Sequence, residues 1–484
     1  MASVPFSETK APEAPERLNR GALRLIDIAA STMANIGPAY SFYFGFGFLV
    51  FTAGIAAPLT IIVAGIAIAF LGNTLAQFSR AQPSTGGFIS FVGKTFGGTS
   101  AVTTALLCGA GYIIAISSVL AISGGFLSTT LNYYFGWNVP WIILSVLLVG
   151  GSVVMTIRGV AVSTKLAGFF FAFEMLVLIV VSIAAMVKNG GHLSVAPFEP
   201  SHITNGFSGL AAGFPLAIYL FIGWENSAAL AEETGNPRRN VPRAVFLSIA
   251  LMVVGYVLFA YATVSGFANN GQALANSAIP FISVAHNILA GFALIAYIAG
   301  LTSTLGVLIS AINSQARLIF NAGREGLLPA WLGRVHPARK TPMNAIYAFV
   351  AIASAIILVW ALLHLVGGNS GSMNALTFFV ESSTLGTILL LVVYFLANLA
   401  LPFYYRKYRP QEFSVVKHVV LPVLGMVAIG VPVYYLVKPG QPAPYDWFPY
   451  LALGMVVASV IYGYILNRRD PSLGERAGSI VADE

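Results

Sequence analysis

The sequence predicts an all-α membrane protein with twelve transmembrane helices. Of its 484 residues, 57% are hydrophobic and only 9% are charged, whereas a soluble domain is about 25% charged. The mean hydropathy is +0.82. An apolar run of about 20 residues is long enough to cross the hydrocarbon core of a bilayer. Such runs lie near 24–50, 54–78, 99–131, 139–157, 163–187, 207–233, 244–267, 282–320, 343–366, 374–400, 416–437 and 446–467.

The basic residues predict how these helices are oriented. With the N-terminus inside, 23 of the 25 lysines and arginines lie in or beside cytoplasmic loops, and only Lys188 and Lys438 lie outside. This asymmetry follows the positive-inside rule. An even number of spans then places both termini in the cytoplasm, for a multi-pass protein of the plasma (inner) membrane. The net charge of +8 is therefore explained by topology, and no nucleic-acid partner is expected.

The two tails are polar and lie outside the apolar runs. Residues 1–22 form a Pro-rich N-terminal tail and residues 468–484 a C-terminal tail. A cleaved signal peptide is not expected, because the first segment lacks an apolar stretch; residues 1–18 are expected to be disordered or loosely docked. Cys108 is the sole cysteine, which excludes an intramolecular disulfide and fits a reduced cytoplasmic side.

Two of the apolar runs contain interruptions in matching places. The first reads "STMANIGPAYSFYF" (31–44), where Pro38 lacks an N–H and disfavours helix at the residue before it. We therefore expect one helix to end near Asn35 and another to begin at Pro38. The sixth run reads "AGFPLAIYLFIGWENSA" (212–228), with Gly223 beside the carboxylate of Glu225. Each interruption taken alone is equally compatible with an ordinary kink.

The paired breaks favour an inverted-repeat transporter. In such proteins each repeat opens with a discontinuous helix whose exposed N–H groups face a substrate near the bilayer midplane. The predicted repeats are residues 23–187 and 207–400, five spans each, followed by two additional helices within residues 416–467.

Three stretches carry a resemblance to a known family. They are "QPSTGGFISFVGKTFGG" (82–98), "FIGWENSAALAEETGNPRRNVPRAV" (221–245) and "SQARLIFNAGREGLLPAWLGRVHPARKTPMNAI" (314–346). They resemble the second, sixth and eighth spans, with the loops that follow them, of the amino acid–polyamine–organocation (APC) superfamily of amino-acid permeases. The resemblance covers roughly residues 20–400 closely. It implies a LeuT-type fold with discontinuous helices 1 and 6.

The resemblance also implies a function. We expect a secondary active transporter that imports a small amino acid or related amine by symport with H⁺ or Na⁺; an exchanger is the main alternative and a channel the more distant one. The expected partners are this small-molecule substrate and the lipid bilayer. No enzymatic activity and no cofactor are expected, because the histidines lack metal-ligand spacing and no Walker loop or dinucleotide turn is present.

Glu225 is the first candidate substrate residue, because a carboxylate within a span is a functional candidate by default. The resemblance places it in the substrate cavity or its gate; a structural hydrogen bond to the backbone is the alternative. Nearby aromatic residues are candidates to stack on a substrate, with plain packing as the alternative. The full set from this region is Tyr219, Phe221, Gly223, Trp224 and Glu225, joined by Cys108 and Tyr112 of the third span.

The break in the first run is expected to receive an anionic group. Exposed N–H groups at a helix N-terminus bind anions, and Gly37, Ala39, Tyr40 and Ser41 are the candidates to supply them. Related permeases usually have Gly-x-Gly here, whereas this chain has "GPA". That departure leaves less room for a substrate carboxylate and keeps amines and other small metabolites open.

Glu174, in the fifth span, is the candidate for proton coupling. The span reads "KLAGFFFAFEMLVLIVVSIAAMV" (165–187), and Glu174 stands alone amid its apolar residues, so this carboxyl is expected to bind and release a proton during transport. A proton-coupled branch of the family has lysine at the aligned position, and an amine-based mechanism therefore does not carry over. Pairing with another helix is the structural alternative.

Sodium is the competing coupling ion. The stretch "AGLTST" (299–304) resembles one in sodium-coupled LeuT-type symporters, in which two hydroxyl groups ligate the ion. Thr302 and Ser303 would be those ligands, with backbone carbonyls near Ala34 completing the site. Hydroxyls in membrane helices more often bond to their own backbone. If Glu174 lies beside this site, it could serve as a sodium ligand or as the proton carrier, and the sequence does not choose between the two ions.

Three further charged residues are candidate gates. Glu381 lies within the tenth span, and a capping or surface position is the alternative reading. Asp27 and Arg24 flank the inner end of the first span, where a cytoplasmic ion pair could form. Interfacial charges that extend toward water are the plainer explanation of that pair.

Overall fold

A computed structural model describes residues 18–366 and 374–482. Most of the N-terminal segment predicted to be loosely docked therefore lies outside the described residues, as do the last two residues of the C-terminal tail. The helices are α1 (Leu25–Ile36), α2 (Pro38–Ala53), α3 (Ala57–Ala81), α4 (Phe88–Phe96), α5 (Gly98–Phe135), α6 (Trp141–Thr156), α7 (Val160–Lys188), α8 (Gly206–Tyr219), α9 (Asn226–Ala229), α10 (Pro237–Gly266), α11 (Gly271–Ala275), α12 (Pro280–Ile288), α13 (Ala290–Arg324), α14 (Met343–Val366), α15 (Ala375–Tyr408), α16 (Leu421–Val437), α17 (Phe448–Arg469) and α18 (Leu473–Arg476).

Within the described residues, nine segments are long and apolar enough to cross a membrane, and two shorter apolar helices, α6 and α8, accompany them. The first of the nine, Leu25–Ala81, contains both of the first two predicted runs. The all-helical membrane class is confirmed. The predicted eighth run was wrong in one respect, because it is divided at Leu289, whose extended backbone separates α12 from α13.

The first helix breaks at Gly37. Gly37 ends α1 in the left-handed conformation at φ 63° and ψ 75°, and Pro38 begins α2. Proline suits this position, since its fixed φ fits the first turn and its missing N–H has no partner to lose. Glycine is required before it, because a Cβ at Gly37 would lie 2.2 Å from Cγ2 of Val307.

The sixth segment also breaks. Helix α8 ends at Tyr219, the chain continues through irregular turns, and α9 begins at Asn226. Gly223 in this stretch has φ +107°, and a Cβ there would lie 2.7 Å from Nδ2 of Asn35. The two breaks therefore meet at Gly223 and Asn35. Helices α7, α10 and α13 pack against α1, while α7, α8 and α13 pack against α2.

Both ends of the described chain dock on one face of the bundle, which we call the termini face. Leu18 donates its N–H to Glu232 at 2.6 Å, and Ala482 donates to the Pro83 carbonyl at 2.9 Å. In the C-terminal segment, Leu473 and Ala477 are buried. This segment, residues 473–482, thus covers the loop that joins α3 to α4.

Glu325 lies beneath the docked C-terminal segment, just beyond the end of α13. Its side chain is 1% exposed, and a Ser90 hydroxyl donates to it at 3.4 Å. The backbone of Gly478 also bonds to this carboxyl, but burial dominates and raises its pKa from 4.5 to about 7. The C-terminal segment is therefore packed against a group that titrates near neutral pH.

Candidate functional site

Two small cavities lie where the broken helices meet. The central cavity, of about 50 Å³, is lined by residues of α1, α2, α5, α13 and α15 and by the break after α8. A smaller chamber, of about 20 Å³, adjoins it toward the termini face. Asn35 and Gln315 line both. The volume of the chamber suffices for about one water-sized group.

The predicted candidates divide between these cavities and the surrounding protein. Tyr40, Ser41, Tyr219 and Gly223 line the central cavity, and Cys108, Tyr112 and Glu225 line the chamber. Gly37 and Ala39 line neither cavity. At the break the Gly37 carbonyl accepts a hydrogen bond and the Ala39 N–H donates one.

The N–H groups at the start of α2 already have partners within the protein. The Ala39 N–H donates to Oε2 of Glu174 at 2.9 Å, and the Tyr40 N–H donates to the Ser303 hydroxyl at 3.0 Å. The Ser41 N–H bonds to the Gly37 carbonyl at 2.7 Å, and Pro38 has none. The first turn of α2 is therefore not an open anion site in this conformation, because an internal carboxylate occupies it.

Glu174 connects α7 to the start of α2. Its side chain is fully buried, and its second oxygen, Oε1, has no hydrogen-bond partner. Ser303 lies beside it. None of the ion pairs among the described residues involves Glu174. This carboxyl is thus held by a helix N-terminus and not by a basic side chain.

The two hydroxyls predicted as sodium ligands, those of Thr302 and Ser303, have different hydrogen-bond partners. Thr302 is partly exposed, and its hydroxyl donates to the carbonyls of Ile298 and Ala299 in its own helix, at 3.1 and 3.0 Å. Ala34 packs in a small apolar cluster with Ala167. The hydroxyl of Ser303 accepts the Tyr40 N–H instead, so the two hydroxyls have different partners in this conformation, and the sodium site stays a prediction.

Glu225 lies in the sixth break and faces the chamber. The Tyr112 hydroxyl donates to its Oε1 at 2.8 Å, while Oε2 has no hydrogen-bond partner. Asn35 donates through Nδ2 to the Gly223 carbonyl at 3.3 Å. Asn226 donates through Nδ2 to the Ser31 hydroxyl, also at 3.3 Å.

An aromatic layer borders the central cavity on the side away from the termini face. The hydroxyls of Tyr40 and Tyr219 lie 2.8 Å apart, and both rings contact Phe379 edge-on. A recess of about 890 Å³, lined in part by Phe44, lies beyond this layer. Phe44 contacts Tyr40 edge-on, so aromatic side chains lie between the central cavity and this recess.

Phe221 and Trp224 are packed in the protein. Both are fully buried; Phe221 contacts Tyr256, and Trp224 contacts Tyr394. Neither residue lines the central cavity or the chamber. In this conformation both are therefore packed against aromatic neighbours, although the indole N–H of Trp224 is buried without a partner, and their role in substrate binding stays a prediction.

Two buried ion pairs close the site toward the termini face. Arg317 Nε lies 2.5 Å from Glu233 Oε2, and Arg317 Nη2 lies 3.1 Å from Oε1 of the same carboxylate. Arg324 Nη2 lies 2.7 Å from Glu232 Oε2. All four side chains are at most 4% exposed. These pairs join α13 to the segment after the sixth break.

The three predicted gate residues lie elsewhere. Asp27 accepts the backbone N–H of Arg24 at 2.8 Å and so caps its own helix. Among the described residues no ion pair joins Arg24 and Asp27, since this carboxylate closes a capping box at the start of α1; the gate role of the two residues stays a prediction. Glu381 accepts the indole N–H of Trp360 at 2.9 Å and joins α15 to α14, away from both cavities.

Sequence reasoning missed several residues of the site. Asn35 and Asn226 adjoin the predicted breaks, so a polar amide beside a break is a usable signal. Gln315 and Arg317 lie in the quoted "SQARLIF" stretch, and Glu233 in "AEET". Nothing in the local pattern pairs residues 84 positions apart, and their partnership emerges only in the folded chain.

Comparison with known proteins identifies the family. The profile of the amino acid permease family matches residues 23–460. The branched-chain amino acid permease BcaP of Bacillus subtilis is 23% identical over 436 residues, covering 84% of this chain and 85% of that protein. The mouse (Mus musculus) Asc-type amino acid transporter 1 is 27% identical over 329 residues, 65% of this chain and 60% of the transporter.

A third relative has a different named substrate. The methylthioribose transporter of Bacillus subtilis is 24% identical over 349 residues, covering 67% of this chain and 72% of that protein. The family match spans both broken helices, both cavities and the buried ion pairs. The chain therefore belongs to the amino acid permease family of the APC superfamily.

Proposed function

We propose that this permease is a secondary active transporter that imports a small amino acid or related amine by cation-coupled symport. It works by alternating access on a LeuT-type fold, with repeats 23–187 and 207–400 and both termini in the cytoplasm. The observation that carries the proposal is the closed central cavity between two broken helices. Buried ion pairs lie on one side of it and a thin aromatic layer on the other.

The size of the cavity and the names of the relatives support the substrate class. A free volume of about 50 Å³ accommodates only a few non-hydrogen atoms, which fits a small molecule. Two of the relatives named above are amino-acid transporters, while the methylthioribose transporter indicates that related sites accept molecules other than amino acids.

The proton is the coupling ion that the local geometry favours. Thr302 is bonded to its own helix, whereas Glu174 is buried and accepts an N–H from the first turn of α2. A carboxylate at a helix N-terminus is stabilised by the helix dipole, and a neutral carboxyl is a weaker acceptor. Proton binding at Glu174 therefore loosens the contact between α7 and α2, and proton release restores it. This alternation couples proton movement to the motion of the half-helix.

The test is transport by purified protein in proteoliposomes. Glu174→Gln resembles the protonated side chain at nearly constant volume. The variant should keep substrate binding and exchange but lose the accumulation that a pH gradient drives. Glu381→Gln, which alters another carboxyl within a span that lies away from both cavities, is the matched control and should accumulate substrate as the parent does.

Several outcomes would contradict the proposal. If Glu174→Gln still concentrates substrate on a proton gradient, Glu174 is not the coupling group. If uptake by the parent follows sodium and ignores pH, sodium is the coupling ion. Uptake that requires internal substrate and ignores both gradients would identify an exchanger.

A further inference from the structure

Two elements that line the chamber, the start of α4 and the second half of α13, pack against each other. Gly87 and Phe88 line the chamber on one side, and Ser314, Gln315 and Leu318 line it on another. A Cβ at Gly87 would lie 3.4 Å from Cδ2 of Leu318, so the two elements are in close contact. Their separation would open the chamber toward the termini face.

The loop that joins α3 to α4 is tied to the segment after the sixth break. The Thr85 hydroxyl accepts the backbone N–H of Glu232 at 3.2 Å. The carboxylates of Glu232 and Glu233 pair with Arg324 and Arg317 of α13. The loop and the two carboxylates therefore lie on one side of a boundary, and α13 with its two arginines lies on the other.

The C-terminal segment is bonded to both sides of this boundary. On the loop side, Gln82 donates through Nε2 to the Gly478 carbonyl, and the Ala482 N–H donates to the Pro83 carbonyl at 2.9 Å. On the other side, the backbone of Gly478 bonds to the carboxyl of Glu325, just beyond the end of α13. The segment thus holds the loop and the end of α13 together.

Small residues let the C-terminal segment lie close against α4. Leu473 and Ala477 are buried, and a Cβ at Gly93 of α4 would lie 2.9 Å from the Cβ of Ala477. Gly478 has a φ of +68°, and a Cβ there would lie 2.6 Å from the carbonyl oxygen of Ser90. Glycine is the residue that tolerates this backbone conformation. The Ala-Gly step at 477–478 is therefore fitted to its docking site.

We propose that the C-terminal segment is an autoinhibitory strap: while docked it holds the loop before α4 against the end of α13, and its far end must leave the loop before the chamber opens toward the termini face. The strap acts in parallel with the two buried ion pairs, because it crosses the same boundary. This inference goes beyond the proposed function, since it concerns when the chamber opens and depends neither on the substrate nor on the coupling ion.

A reversible cross-link tests the strap on the full-length, membrane-embedded protein. The bonded N–H and carbonyl of Ala482 and Pro83 bring their Cα atoms within the range that a disulfide can span. In the double variant Pro83→Cys with Ala482→Cys, oxidation fixes the strap to the loop and reduction frees it. The readout is the rate at which an impermeant maleimide, added from the termini face, labels Cys108, measured on the Cys108 peptide by mass spectrometry. Labelling should be at least ten times slower in the oxidised protein than in the reduced protein.

Releasing the strap should have the opposite effect. Gly478→Ala places its new Cβ against the Ser90 carbonyl, so the strap should undock and Cys108 should label at least three times faster than in the parent. Gly440→Ala is the matched control, because Gly440 also has a positive φ, +87°, but a Cβ there meets no described atom within 4 Å; it should label as the parent does. Limited proteolysis of residues 473–482 reports whether the strap has been released.

The outcomes decide the inference without reference to transport. Equal labelling of the oxidised and reduced proteins would show that the chamber opens with the strap fixed, and the inference would be wrong. It would also be wrong if protease cuts the strap of Gly478→Ala while Cys108 labels at the parental rate. If that strap stays protected, the cross-linked protein decides. The proposed function stands in each case, because labelling reports opening whatever molecule or ion is carried.

Discussion

Loss of the Arg317 side chain should open the site toward the termini face. Arg317 is fully buried and makes two contacts with Glu233, at 2.5 and 3.1 Å; it also donates to the Asn313 carbonyl at 2.5 Å. In Arg317→Met the Glu233 carboxylate, only 1% exposed, is left without its cation. Removing one partner of a buried ion pair costs about 3–5 kcal/mol.

That cost applies to the closed conformation, because an opened site returns Glu233 to water. At about 1.36 kcal/mol for each factor of ten, the closed-to-open ratio should fall by roughly 10²- to 10⁴-fold. Cys108 is a natural reporter, since it is the sole cysteine of the chain, is 2% exposed and lines the chamber.

The assay is the rate at which a small maleimide labels Cys108 in the membrane-embedded protein. When opening and closing are fast relative to labelling, this rate follows the population of the open form, so Arg317→Met should label at least ten times faster than the parent. Cys108→Ser measures the background. The double variant Arg317→Met with Glu233→Leu removes both charges and should label slowly again, because an apolar pair can replace a buried ion pair at little cost. Unchanged labelling of Arg317→Met would refute the assignment of this pair as a closing contact.

Two further predictions concern the break and the C-terminal segment. Gly37→Ala should lower the thermal midpoint of unfolding by several degrees, because the new Cβ would lie 2.2 Å from Val307 at a φ of +63°. The control is Gly150→Ala, whose new Cβ has nothing within 4 Å; it should be neutral or stabilising by up to about 1 kcal/mol. Equal effects of the two substitutions would contradict the steric argument. Docking of residues 473–482 should weaken with rising pH, because burial raises the pKa of Glu325 to about 7 from its ordinary value near 4.5. The contribution of this carboxyl is thus complete below about pH 4.5 and is lost as the pH rises through about 7, so proteolysis of the segment should accelerate over that range. Glu325→Gln should flatten the profile, and an unchanged pH dependence in that variant would assign the effect to another group.

Much of the architecture could be predicted from the sequence because its causes are local. Apolar runs of sufficient length identify membrane helices whatever surrounds them. The Gly-Pro step at residues 37–38 was expected to interrupt the first helix, and the interruption is there. Glu225 attracted attention as a carboxylate in an apolar span, and it lies in the break beside the chamber.

The tertiary structure decided which of the candidate groups have partners. Ala39 and Tyr40 were predicted as anion donors, and the fold brings Glu174 and Ser303 onto their N–H groups from distant helices. Thr302 was predicted beside Ser303 as a ligand, and helical geometry turns it toward its own backbone. Whether a polar group finds a hydrogen-bond partner depends on every neighbouring helix, so it cannot be predicted from the sequence of one helix alone.

The sequence by itself determined that the protein lies in a membrane, the class of its fold, the position of both helix breaks and the family. The tertiary structure determined that Arg317 pairs with Glu233, that Asn35 meets Gly223, and that the Tyr112 hydroxyl bonds to Glu225. The physical reason is the distance along the chain over which each interaction acts. Hydrophobic length and proline sterics act within one segment, whereas pairing of buried charges and amides requires groups from segments far apart in the chain to be packed at hydrogen-bonding distance.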